Sequence, residues 1–239
     1  MRTEDIEYRD GSLTLRGLLA CDETVEGKRP GILVVHEAWG LGDHAMDRAR
    51  MLAELGYVAL AADMYGDRRM AADLPAAMEL IGELRTDPAK LRARAGAAVA
   101  ALKAQPNVDG SRLAAIGFCF GGTVVLELAR GGADLKGVVS FHGGLQTGAP
   151  AQPGAVTPKV LVCTGADDPM IPSAQVVDFE SEMREAGADW QVISYGGTVH
   201  SFTNPDAGKT VKLDGVAYNA RTDKRSWAAM RAFFDEIFA

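Results

Sequence analysis

A cysteine sits between two phenylalanines, with a glycine two residues to either side, in the stretch Gly117-Phe118-Cys119-Phe120-Gly121. The pattern is G-x-C-x-G, the nucleophile-elbow arrangement with sulfur in place of a serine oxygen. A sharp strand-to-helix turn strains the nucleophile's backbone, and side chains close by would collide with it. Glycine at both flanks removes that collision, and Gly122 lets the following helix pack closely on a sheet. A thiol at a helix N-terminus faces the positive end of the macrodipole, which favours thiolate. The Phe120 amide, free at the helix start, is placed to be one oxyanion donor. The chemistry implied is attack on a carbonyl carbon, and it needs a base and an acid from elsewhere in the chain.

An elbow of this kind orders its partners as nucleophile, acid, histidine. The chain has four histidines, His36, His44, His142 and His200. His44 falls in a helical stretch and reads as a solvated surface residue. His36 precedes the elbow, and His142 follows it too early. His200, in "YGGTVHSFTNP", lies in a loop after the last strand, where a base belongs. Between elbow and His200, "LVCTGADDP" ends a strand with two aspartates, Asp167 and Asp168. Asp168 precedes Pro169, which biases it toward extended geometry, but the doublet alone leaves open which carboxylate orients a histidine. Competing motifs lapse: the phosphate-binding fingerprints are absent from the turn. "HEAWG" has Gly40 where a zinc-binding H-E-x-x-H needs its second histidine, so no metal and no cofactor are expected.

These residues need a scaffold. Two partly alternating runs around Asp10-Gly11 (Ile6–Ala20) predict an N-terminal hairpin. "GILVV", "YVALAAD", "SRLAAIGF", "LKGVVSF", "PKVLVCTG" and "DWQVISY" are short apolar runs, the mark of strands buried on both faces of a parallel sheet. Helical periodicity fills the gaps: His44–Gly56 with Gly56 as C-cap, and Met70–Gln105 broken at Pro75 and Pro88. Further helices follow the elbow, run over Ser173–Gly187 with Ser173 as N-cap, and span about Thr222–Phe238. Alternation of this kind implies a mostly parallel central sheet with helices on both faces, the α/β class. Residues 1–239 read as a single domain with no large lid. In such sheets sites lie at the carboxyl ends of the strands, which is where Cys119, the aspartate pair and His200 fall.

Composition narrows the partners. The 239 residues carry 25 Lys plus Arg against 32 Asp plus Glu, a net charge of −7. No basic stripe stands out, which argues against nucleic acid. No apolar run approaches the roughly 18–20 residues of a membrane span, and the polar N-terminus lacks a secretory core. Three widely spaced cysteines, Cys21, Cys119 and Cys163, suit reduced thiols in a cytoplasmic protein. The oligomeric state is not legible.

Taken together, "VVHEAWG", "GFCFGG", "GADDPMIP" and "VHSFTNP", in that order and followed by "KRSWAAMRAFF", resemble the dienelactone hydrolase family of cysteine-type α/β-hydrolases. The resemblance spans nearly the whole chain. It implies a Cys119-His200-Asp168 triad, since the family's G-x-x-D pattern falls on Gly165-Ala166-Asp167-Asp168. It gives Glu37 a role beside the nucleophilic thiol, where it influences the thiol's protonation, and makes the Ala38 amide the second oxyanion donor. The activity implied is hydrolysis of a small-molecule lactone or activated ester through a cysteine acyl-enzyme. The family's substrate-carboxylate arginine, four residues after the triad histidine, is replaced by Asn204. Arg68, Arg69 and Arg85 lie in segments that could line the cleft in its stead. The rival readings are a redox-active cysteine and a non-catalytic ligand-binding homologue.

Overall fold

In the computed structural model, which describes residues 1–209 and 212–239, eight strands form one sheet in the order β1-β2-β4-β3-β5-β6-β7-β8. β1 (Arg2–Asp10) and β2 (Leu13–Cys21) form the hairpin, Asp10 paired with Leu13 across a two-residue turn. Gly11 takes φ +57°, the left-handed backbone such a turn demands. β2 then runs antiparallel to β4 (Val58–Ala62). The remaining pairings, among β3 (Arg29–Val35), β4, β5 (Val108–Phe118), β6 (Gly137–Phe141), β7 (Lys159–Gly165) and β8 (Trp190–Tyr195), are parallel.

The apolar runs behave as continuous runs should: every residue of β4 and β6 is buried. Helices cover both faces, so the core divides into two layers. Leu33, Ala115, Val124 and Phe179 belong to one, and Ile32, Ile116, Phe141 and Phe234 to the other. The faces are covered by α1 (Asp43–Glu54), α2 (Leu74–Arg85), α3 (Pro88–Lys103), α4 (Phe120–Arg130), α5 (Ser173–Glu185) and α6 (Ala220–Ile237).

Pro75 and Pro88 fall in the first turns of α2 and α3, as expected, and the caps are Asp73 and Asp87, whose side chains accept the Ala76 and Lys90 amides. Two other helix starts depart from expectation. Ser173 is the first helical residue of α5 rather than its cap; Pro172 holds the cap position without a side-chain bond. α6 starts at Ala220, earlier than periodicity suggests, because the Asn219 side chain accepts the Thr222 amide at 3.2 Å. Among the described residues no helix is long and apolar enough to cross a membrane.

The sheet's carboxyl edge is where the chemistry-bearing residues gather. Glu37 follows β3, Cys119 follows β5, His142 follows β6, Asp168 follows β7, and His200 lies beyond β8.

Candidate active site

Cys119 is the last residue before α4 and takes φ 52°, ψ −114°, a strained conformation for a non-glycine residue. The flanking glycines make it possible. A Cβ on Gly117 would overlap the Gly121 carbonyl, and one on Gly121 would overlap the Val35 carbonyl of the central strand β3. That close approach lets the Gly121 N–H donate to the His36 carbonyl at 3.0 Å, drawing the turn after β3 against the elbow. Ala38 and Phe120, whose amides are the expected oxyanion donors, line the same cleft. Among the described residues neither amide donates to a protein group. This is the condition a two-amide oxyanion pocket requires.

His200 is buried in a loop held by a bridge to Val216, its N–H donating to the Gly215 carbonyl at 2.9 Å. Its Nδ1 lies 2.7 Å from Asp168 Oδ2. The other Asp168 oxygen accepts the Met170 amide at 2.8 Å, which fixes the carboxylate plane. Asp167, by contrast, is exposed. The second imidazole nitrogen, Nε2, is buried with no hydrogen-bond partner among the described residues. Burial alone would lower the His200 pKa. Negative charge on the Cys119 sulfur and the Asp168 carboxylate outweigh it and lift the imidazole to about 10. The structure therefore brings Cys119, His200 and Asp168 together.

Glu37 is buried on the same cleft as Cys119. Burial pushes its carboxyl upward, opposed by hydrogen bonds from the Asn204 amide and the Ser201 hydroxyl. Asn204 thus occupies itself with Glu37. Of the three arginines, only Arg85 lines the cleft; Arg68 pairs with Asp5 and Arg69 reaches the Tyr65 carbonyl.

His44 contradicts its surface assignment. It is largely buried, lies edge-on to Phe118 at 4.7 Å, and places Nδ1 3.7 Å from Glu37 Oε2. Burial and the nearby Arg48 guanidinium hold its pKa down at about 3, so it is neutral. The signal was present in the helix: His44, Arg48 and Leu52 share one stripe at four-residue spacing, and Arg48 and Leu52 are buried. Ser201 and Asn204 had no such signal, because their partner Glu37 lies more than 160 positions away in the chain. His36 is a core residue that ties two turns together, its Nε2 accepting the Met64 amide and its Nδ1 donating to the Glu37 carbonyl.

The cleft has a volume of about 550 Å³ and is mostly apolar, with Trp39, Leu74, Met78, Ile81, Ile171 and Val216 on its walls. Among the described residues no three His, Cys, Asp or Glu side chains converge to hold a metal ion.

A sequence model described as the dienelactone hydrolase family matches residues 15–238. The chain belongs to the dienelactone hydrolase family. Among solved structures, it superposes with TM-score 0.92 on a dienelactone hydrolase-like promiscuous phosphotriesterase, P91, from metagenomic libraries. That protein is 45% identical, the match covering 99% of this chain and 98% of that one. A structure named m3DLH gives TM-score 0.95 at 47% identity, covering 100% and 99% of the two chains. A Methylorubrum extorquens protein named "Putative carboxymethylenebutenolidase" is 29% identical over 223 residues, 87% of this chain and 72% of that protein. Membership makes the chain an ester hydrolase, and the eight-stranded, mostly parallel sheet is the fold its sequence predicts.

Proposed function

We propose that the chain, acting as one domain, hydrolyses a lactone or activated carboxylic ester through a cysteine acyl-enzyme. The observation that carries this reading is the buried, unpartnered Nε2 of His200, with Nδ1 anchored on Asp168 and Cys119 lining the same cleft. Cys119 attacks the carbonyl carbon, forming a C–S bond. The oxyanion rests on the Phe120 and Ala38 amides. His200, its tautomer fixed by Asp168, delivers its proton to the departing alcohol oxygen as the C–O bond breaks. Water, deprotonated by the now neutral His200, attacks the thioester, releases the acid and restores the thiolate–imidazolium pair.

Thiolate is a good leaving group, so the tetrahedral intermediate goes forward only when the alcohol leaves at least as readily. Enol lactones and aryl esters meet that condition; alkyl esters and amides meet it poorly. The test is a leaving-group series sharing one acyl group. kcat/KM falling from aryl ester to alkyl ester to amide supports the reading, and faster turnover of the amide refutes it.

A redox role is disfavoured by the other two thiols. Cys163 is buried, with its thiol pushed up to about 12 by burial, and Cys21 is buried too, so neither is a ready resolving partner. Free thiols throughout suit a cytoplasmic setting.

A neutral phosphotriester is a second substrate class for the same nucleophile. It is supported by the 45% identity to P91 and by the apolar cleft, in which Asn204 replaces an arginine. Sulfur would attack phosphorus, expelling an aryloxide, and water would then cleave the S–P bond. Release of p-nitrophenol from diethyl p-nitrophenyl phosphate, lost in Cys119→Ala, is the expected result; equal release by both proteins excludes this class.

A further inference from the structure

His142 belongs to neither the nucleophile–base–acid set nor the walls of the cleft, yet it is fully buried at the sheet's carboxyl edge. It takes φ 41°, a left-handed conformation unusual for histidine, directly after β6. Only five non-glycine residues among those described do this, and three of them, Cys119, His142 and Ser201, stand at this site. Strain concentrated in one place marks positions the surrounding structure is holding for a purpose.

The purpose is legible in its hydrogen bonds. The Cys119 N–H points at His142 Nδ1, 3.1 Å away, and shares its proton with the Phe141 carbonyl at 3.0 Å. A backbone amide can only donate, so Nδ1 must be a lone pair and the ring proton must sit on Nε2. Nε2 lies 2.8 Å from the Thr203 hydroxyl, which accepts that proton. The ring also stands edge-on to His200 at 5.3 Å between centroids and to Phe202 at 5.0 Å. One imidazole therefore touches the nucleophile's own amide on one side and three residues of the base's loop on the other.

We infer that His142, as the neutral Nε2–H tautomer, is a positioning residue that sets the Cys119 turn and spaces it from His200. It touches no reacting atom. The inference rests on Cys119 being the nucleophile. The Cys119 N–H is held between His142 Nδ1 and the Phe141 carbonyl, so these two acceptors fix the rotation of the peptide that carries the strained residue. Loss of Nδ1 leaves one acceptor where there were two, and the sulfur moves relative to His200. Protonation would have the same effect by removing the lone pair. Of the groups facing the ring, the His200 imidazolium and the Arg48 guanidinium add to burial in keeping it neutral, well below the ordinary histidine range, while His44 is itself uncharged.

Two measurements test this. The first is long-range proton–nitrogen NMR of the wild-type protein, which reads the His142 tautomer directly and needs no variant to fold. Nε2 protonated and Nδ1 bare, unchanged from about pH 6 to pH 9, is expected; a proton on Nδ1 at any point in that range overturns the inference. The second compares His142→Asn with His142→Leu on p-nitrophenyl acetate. Asparagine keeps an acceptor atom near the Nδ1 position and tolerates left-handed φ. Loss of the acceptor in the leucine variant should lower kcat about 10- to 100-fold with KM within about 3-fold, and asparagine should recover most of it. Folded Leu and Asn variants with equal kcat overturn the positioning role. Retention of activity by Cys119→Ala would instead strike the underlying nucleophile assignment, while leaving the tautomer result intact.

Discussion

Asp168→Asn tests the acid, and its outcome can be worked from contacts. Oδ1 of Asp168 accepts the Met170 amide at 2.8 Å, and Oδ2 faces His200 Nδ1 at 2.7 Å. An asparagine must keep its oxygen on the Met170 N–H, because that amide can only donate. Its NH₂ group is then forced against Nδ1, which must become an acceptor, and the ring proton moves to Nε2. The base now presents a proton to Cys119 where a lone pair is needed during deacylation, and the imidazolium loses a buried counter-charge. Loss of a charge-assisted hydrogen bond alone is worth about 1.5–3 kcal/mol, or roughly 10- to 150-fold in rate. Inversion of the tautomer raises the ceiling to the order of 10⁴. The assay is kcat and KM on an aryl acetate beside Asp167→Asn, whose side chain is exposed. We expect kcat to fall at least about 10-fold in Asp168→Asn, with KM within about 3-fold, and Asp167→Asn to match wild type. Asp168→Asn at wild-type kcat, or an equal loss in Asp167→Asn, would show that Asp168 does not orient His200.

Three other contacts carry measurable consequences. His200 has a folded pKa of about 10 against an ordinary 6.5, so its proton contributes stability that is complete below pH 6.5 and vanishes as pH rises through 10. Thermal melts across that window should therefore decline more steeply for wild type than for Cys119→Ala, which lacks the sulfur charge; parallel curves would contradict the pairing. Gly121→Ala drives a methyl group into the Val35 carbonyl, and overpacking of about 1–3 kcal/mol should lower Tm by roughly 2–10 °C and abolish esterase activity. Arg48→Met strands Asp223, 2.7 Å from the guanidinium, and the Thr203 carbonyl. Denaturant melts should show a loss of about 1.5–3 kcal/mol, partly recovered when Asp223→Asn is added; a change below about 1 kcal/mol would show that the partly buried pair is dispensable.

The sheet was legible because strands buried on both faces read as unbroken apolar runs. "YVALAAD" and "LKGVVSF" predict β4 and β6 without help from any partner. The elbow was legible because its demands are local: glycines within two residues of Cys119 answer to backbone atoms that the turn itself brings close. Less of the surrounding site could be read. Helix caps at Asp73 and Asp87 were within reach, since an aspartate two residues or one residue before a helix-opening proline is a local signal. The partners of Glu37 were not, because Ser201 and Asn204 meet it only after the whole sheet has been assembled. His142 is the extreme case. As a sequence feature it is a histidine at a strand end, and only the parallel pairing of β5 with β6 carries it to the Cys119 amide. Local chemistry leaves a local pattern, whereas chemistry assembled across strands does not.

Turnover through Cys119 passes through a thioester, which a rapid-quench reaction with p-nitrophenyl acetate traps. Acid-quenched samples, digested and mapped by mass spectrometry, should carry one acetyl group on the peptide containing Cys119. Its formation should coincide with a burst of p-nitrophenol near one equivalent, and both should be absent from Cys119→Ala. A full burst with the acetyl group on any other residue, or turnover by Cys119→Ala at the wild-type rate, would contradict this route.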